Sequence, residues 1–219
     1  MAEVKGIERL DKTLGLCEML KEAQQRGTAF YFDKENENCV GKMPLGMMDI
    51  VPALESGQLG PELEIYQEPR ANTRIYQHIP KFARGTVSYV VFSSLSKLTF
   101  EPDLLILYAT PRQAEIVLRA MSYSSGEMWE PKAMPVVACA WLYVYPYQSG
   151  KVNYTITGMS YGMIARNVFP EGRVLVSMPW NWIPTITHNL QEMKWVLPGF
   201  NREQYLADME IVAKKFALN

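Results

Sequence analysis

The order of apolar and polar residues divides this chain into short strands and helices. Residues 103–109 form an apolar run of the length that fills a strand covered on both faces. Thr110 then supplies a hydroxyl for an N-cap, Pro111 falls at the first helical position, and Gln113 stands three residues after the cap. Ala114, Val117, Leu118 and Met121 recur on one face beyond it, so residues 100–127 read as strand, tight turn and helix. Upstream, Ile7, Leu10, Leu14, Cys17 and Leu20 recur at helical spacing and stop before Gly27, which predicts an amphipathic helix over 6–26. Residues 28–33, 86–92, 152–157 and 174–178 carry the β-branched and aromatic content of strands. Residues 46–80, broken by Gly57, Gly60-Pro61 and Pro69, predict two or three short helices.

Toward the C-terminus, residues 184–195 predict a helix. A cap pair at Asn201 and Gln204 opens another, with Tyr205, Met209, Val212 and Phe216 as its apolar stripe. Residues 136–145 fit either period; the exit at Gln148-Ser149-Gly150 favours a helix beginning near Pro135. Trp180 and Trp182 stand two apart between Pro179 and Pro184, which predicts an extended corner with both indoles on one side. Strands and helices intermix with no repeat and no linker. The expected class is α+β (or α/β), with residues 1–219 as one compact unit built on a mixed sheet flanked by helices.

Composition narrows the function classes. With 48% hydrophobic and 21% charged residues, the chain is globular rather than disordered. A net charge of −1 without a dense Lys/Arg block argues against a nucleic-acid partner. No apolar run is long enough for a membrane span, and the charged start MAEVKGIERLDK is unlike a signal peptide. Three cysteines cannot all pair within the chain, so reduced thiols in the cytoplasm are expected. Thirteen Met, 12 Tyr and 5 Trp suit an irregular core or an apolar ligand cavity.

The candidates for chemistry are few. His78 and His188 are the only imidazoles; His188 stands four before Glu192, the spacing of a helix-surface ion pair. Neither a nucleophile elbow nor a phosphate loop is present. Arg112, beside the turn at Thr110-Pro111, could hold an anion at a helix start, and Tyr161 lies in the turn Gly158-Met159-Ser160-Tyr161-Gly162, where a ligand could approach the backbone. Trp180 and Trp182 fit a pocket wall or a dimer contact equally. Cys17, Cys39 and Cys139 spread over 122 positions (139 minus 17), so their spacing alone carries no metal signal, and Cys17 fits an apolar helix stripe. Cys39 lies in a polar loop, where packing has less need of it.

Several of these segments together resemble the domain-of-unknown-function family 169, found mainly in archaea and anaerobic bacteria. The resemblance is carried by Cys17, Gly27, the run TAFYFD, the turn Cys39-Val40-Gly41 and Leu45-Gly46. It continues in YVVFSSLSKLTFEPDLLILYATPRQAEIVLRA, in Cys139 and in SGKVNYTITG, and covers most of residues 10–200. The chain departs from the pattern at 158–162, where many members have a second Cys and a Gly-Asp-Arg. The resemblance implies the fold group and no reaction. It also implies that all three cysteines match family cysteines, which supports a site for zinc or an iron–sulfur cluster. Three readings stand at this point: a homodimeric protein binding a small apolar or aromatic ligand through Trp180, Trp182, Tyr161 and Arg112; a metal or iron–sulfur protein using Cys17, Cys39 and Cys139; and an interaction module without chemistry.

Overall fold

A computed structural model describes residues 7–37, 39–49, 67–134, 137–156, 165–168, 170–195 and 202–216, with Pro52, Glu55, Ser56 and Met163. The chain is α+β, and its described residues include six strands in two small sheets. In the first sheet, β1 (Glu8–Arg9) runs parallel to β2 (Phe30–Asp33), and β2 pairs antiparallel with β3 (Tyr89–Phe92), Phe30 facing Phe92. In the second, β6 (Val174–Pro179) is central and antiparallel to both β4 (Leu104–Ala109) and β5 (Asn153–Thr155). The expected mixed pairing is therefore that of the first sheet.

The second sheet is covered on both faces, and the period of two in its strands decides which residue serves which core. Leu104, Ile106 and Tyr108 of β4 and Leu175 of β6 turn to a core shared with Leu10, Leu16, Met19, Phe30, Phe32, Phe92, Leu142 and Val144. Leu105, Leu107 and Ala109 turn the other way with Val174, Val176 and Met178. There they meet Ala114, Leu118 and Met121 of α3 (Pro111–Ser125) and Ile186 and Leu190 of α5 (Ile183–Glu192). The start of α3 is as expected: the Thr110 hydroxyl accepts from the Gln113 N–H at 3.2 Å, and the Gln113 side chain accepts from the Thr110 N–H at 2.9 Å.

Three expectations are corrected. The helix over 6–26 is confined to a 3-10 turn at Leu16–Glu18 followed by α1 (Met19–Gln25). Glu8 and Arg9 are instead drawn into β1, and the Leu10 N–H donates to Tyr31 O, so strand pairing overrides a helical period. Gly15 is extended and its N–H donates to the Glu18 carboxylate, which fixes the helix start there. The Trp180–Trp182 corner is a 3-10 turn leading into α5, not an extended stretch, because Pro184 fits a first helical turn as well as it fits extended chain. The stripe on α6 (Arg202–Phe216) exists but is exposed; no α6 residue is buried.

The segment that fits both periods is helical. It runs through a π-helical stretch, Ala140–Val144, into α4 (Tyr145–Ser149), after α2 (Pro69–Gln77) earlier in the chain. The wider turn is held from outside: the Trp141 carbonyl accepts from Asn153 Nδ2 at 2.8 Å, and the Leu142 carbonyl accepts from Ser177 Oγ at 2.5 Å. Just before it, Val137 is left-handed at φ 52°, costly for a β-branched residue. No described helix is long and apolar enough to cross a membrane. The glycine turn with Tyr161, the cap at Asn201 and the helix start at Pro135 lie outside the described residues.

Candidate functional site

Three separate segments bring the cysteines to the same core. Cys17 is the middle residue of the 3-10 turn Leu16–Glu18, Cys39 immediately precedes the 3-10 turn Val40–Lys42, and Cys139 lies just before the π-helical stretch. Cys17 is buried in the first core, and Cys39 and Cys139 pack against it. The Cys39-Val40-Gly41 turn can lie this close only because residue 41 has no β-carbon. A Cβ there would stand 2.8 Å from Cys139 Sγ and 3.0 Å from Leu16 Cδ2. The glycine of the Cys-x-Gly signature thus fits a close approach between the loop of Cys39 and the helix of Cys139.

The thiols share one electrostatic environment. Burial pushes Cys17 up to about 11, with Cys39 adding to the rise and Arg166 opposing it. Burial likewise raises Cys139 well above the ordinary thiol range, and Cys39 and Cys17 raise it further. Although Cys139 keeps a little accessible surface, its thiol is densely surrounded. As they stand, the thiols feel one another's charge, yet no three His, Cys, Asp or Glu groups among the described residues are gathered around a common point as metal ligands are.

Two tyrosines complete the cluster, and neither stands out in the sequence. Tyr108, on the first-core face of β4, is pushed up to about 12 by burial and by Cys17, and its hydroxyl donates to Val168 O at 3.3 Å. Tyr143 lies one helical turn beyond Cys139 and packs edge-on against Phe92, ring centres 6.1 Å apart. It is 6% exposed. Burial raises its hydroxyl well above the ordinary tyrosine range, followed by Cys139, Tyr108, Cys17 and Cys39. That hydroxyl has no hydrogen-bond partner among the described residues. Had residues 136–145 been fixed as helix, the i, i+4 spacing of Cys139 and Tyr143 would have placed the pair on one face.

Two cations flank the cluster. Arg166 bridges Glu37, at 2.6 Å, and Glu18, at 2.8 Å; that bridge ties the loop before Cys39 to the turn of Cys17 and holds the Glu37 carboxyl below its usual range. Lys42 is 2% exposed; its ammonium donates to the backbone oxygens of Lys34 and Asn36 and lies 5.5 Å from the Phe32 ring centre. Burial lowers its pKa, while Cys39, Asp33 and Glu37 act in the opposite sense.

Of the expected ligand residues, Trp180, Trp182 and Arg112 are elsewhere, and Tyr161 lies outside the described residues. Trp182 packs against the second core and donates through Nε1 to Gly150 O at 2.9 Å; Trp180 is half-buried and its N–H donates to Asp103 O. Arg112 is exposed at the start of α3. Two surface hollows, of about 510 and 290 Å3, are lined by residues such as Met43, Met48 and Phe82, and Ser125, Met128 and Lys151, respectively. Neither is walled by Trp180, Trp182 or Arg112. His188 pairs with Glu192 at 3.3 Å on the surface of α5, and His78 follows α2 as its C-cap.

Among known proteins, the chain matches the model of the family DUF169, described as "Uncharacterised ArCR", over residues 2–189 of 219. No curated protein and no solved structure matches it.

Proposed function

Because this chain belongs to domain-of-unknown-function family 169, which has no assigned reaction, we propose its function from its own residues: it binds a thiophilic metal centre, a metal ion or an iron–sulfur cluster, through Cys17, Cys39 and Cys139. The observation that supports this reading is that Cys17 lies in one core and Cys39 and Cys139 pack against the same core, though they come from segments up to 122 positions apart (139 minus 17). Packing alone needs no cysteine at the mouth of a polar loop, whereas thiolates are the ligands that zinc and iron–sulfur clusters take. The π-helical stretch and the left-handed Val137 beside Cys139 are the kind of cost that persists at functional sites. The protein acts, on this reading, as one domain with reduced thiols in the cytoplasm.

The test is anaerobic purification with absorbance, iron, sulfide and zinc assays on wild type and on Cys39→Ser. Metal retained by wild type and lost from the variant supports the reading. A colourless, metal-free wild type that also takes up no added metal refutes it.

The hollow of about 510 Å3 favours a second reading, a small apolar ligand bound beside Met43, Met48 and Phe82 rather than at the tryptophans. An apolar fluorescent probe bound by wild type but not by Phe82→Asp would support it, and equal binding by both would count against it.

A further inference from the structure

Among the described α-helices, α6 alone has no buried residue. Its apolar side chains are nonetheless ordered. Tyr205, Met209, Val212 and Phe216 follow one another at intervals of four, three and four residues, the heptad spacing of a two-stranded helical seam. At 3.6 residues per turn they fall within about 60° of arc, and they are 50, 43, 36 and 64% exposed. A helix of 15 residues is marginal in water unless such a face is packed. The seam has two unlike flanks: Asp208 and Lys215 border it on one side, Leu206 and Ala213 on the other. Asp208 accepts from Gln204 Nε2 at 2.9 Å within the same helix, and Lys215 Nζ lies 6.0 Å from the Phe216 ring centre, beside the seam.

Those flanks select a second copy of α6 running the opposite way. Two parallel α6 helices would set Asp208 and Lys215 of one against Leu206 and Ala213 of the other, and would crowd Lys214 and Lys215 of both copies at one end. In an antiparallel pair, like flank meets like flank. Tyr205 then faces the partner's Phe216, Met209 faces the partner's Val212, and Asp208 lies beside the partner's Lys215. On the far flank Leu206 lies beside the partner's Ala213, large against small. The acidic stretch holding Glu203, Asp208 and Glu210 meets the basic last turn, and the two helix dipoles oppose each other. We infer that α6 is a self-association surface, which pairs antiparallel with the α6 of a second copy of this chain about a two-fold axis level with residues 210 and 211. The seam is about 22 Å long at 1.5 Å per residue. Such an interface is small, so the dimer is weak and reversible. No α6 residue belongs to the first or second core, so each copy keeps its fold when the pair separates.

The experiment is sedimentation velocity of the full chain across the micromolar range, with reductant and chelator present so that neither a disulfide nor a metal links two copies. It compares wild type with Asp208→Lys, Lys215→Asp, an equal mixture of those two, and the double variant. Wild type is expected to dimerise. Each single variant sets like charges against each other twice across the pair and should associate roughly 10-fold more weakly or worse. The mixture and the double variant restore opposite charges and should restore the dimer. Met209→Glu, at the middle of the seam, should abolish association and leave the thermal midpoint of the dilute monomer unmoved. A wild type that stays monomeric overturns the inference. So does a dimer indifferent to both single variants, or one that they weaken and neither the mixture nor the double variant restores. A lowered midpoint in dilute Met209→Glu also overturns it, because the seam would then be packed on its own chain.

Discussion

Replacing Gly41 with alanine tests the packing that brings the cysteine loop against the helix of Cys139. The added Cβ would stand 2.8 Å from Cys139 Sγ, 3.0 Å from Leu16 Cδ2 and 3.3 Å from Cys139 Cβ. Leu16 is fully buried and Cys139 is a short side chain with dense surroundings, so neither yields cheaply. Forcing one extra carbon into such a site costs about 1–3 kcal/mol. The alanine also restricts the unfolded chain, which offsets about 0.4–1 kcal/mol. The net expectation is a loss of about 1–2 kcal/mol, or roughly 2–8 °C in Tm for a chain of this size. Thermal and urea unfolding of Gly41→Ala, Cys139→Ala and the double variant form a cycle that isolates the contact. With the sulfur gone, the part of the penalty owed to Cys139 Sγ should vanish, while the contacts with Leu16 Cδ2 and the β-carbon of residue 139 remain. A Gly41→Ala protein as stable as wild type, or a penalty unchanged in the Cys139→Ala background, would refute the argument.

Thr110→Ala removes the hydroxyl that accepts from the Gln113 N–H and should lower stability by about 1 kcal/mol; an unmoved unfolding midpoint would show that the cap is not made. Cys17 is raised by burial to about 11, so the folded state holds a proton that the unfolded state releases from about pH 9 upward. The stabilising contribution is complete below that range and is lost as pH rises toward 11. Wild type should thus weaken between pH 9 and 11 more steeply than Cys17→Ala in urea titrations at each pH, and equal slopes would contradict the burial argument.

What the sequence made legible was local. The apolar run of β4, the cap at Thr110 and the stripe of α3 are each decided by neighbours within a turn, and each appears where the pattern placed it. The His188–Glu192 pair was legible for the same reason. Glu8 to Leu10 went the other way because their fate is set by β2, some 20 residues distant, and helical spacing carries no information about that partner. The Trp180–Trp182 corner was misjudged because proline restrains φ without choosing between a helix start and extended chain. The shared core of the cysteines was invisible to spacing: three thiols separated by a strand here and a helix there reach one core only through the tertiary fold. Tyr143 was hidden twice over, by a segment of ambiguous period and by a hydrogen-bonding state that no sequence displays.

The distribution of the cysteines along the chain also bears on how the molecule is made. Cys17 and Cys39 are 22 residues apart (39 minus 17), whereas Cys139 is 100 beyond Cys39 (139 minus 39). Closing the longer loop costs ~1.3 kcal/mol more entropy, from (3/2)RT ln(100/22). The first two thiols can meet once β2 and the turn at Val40–Lys42 form, while the third waits for the helix held by β5 and β6. The expected consequence is a folding intermediate with two neighbouring thiols and no third. In air such a pair can be trapped by oxidation before the core closes. Yield on refolding should therefore depend on a reductant being present in the first moments, and much less on one added after the native state has formed.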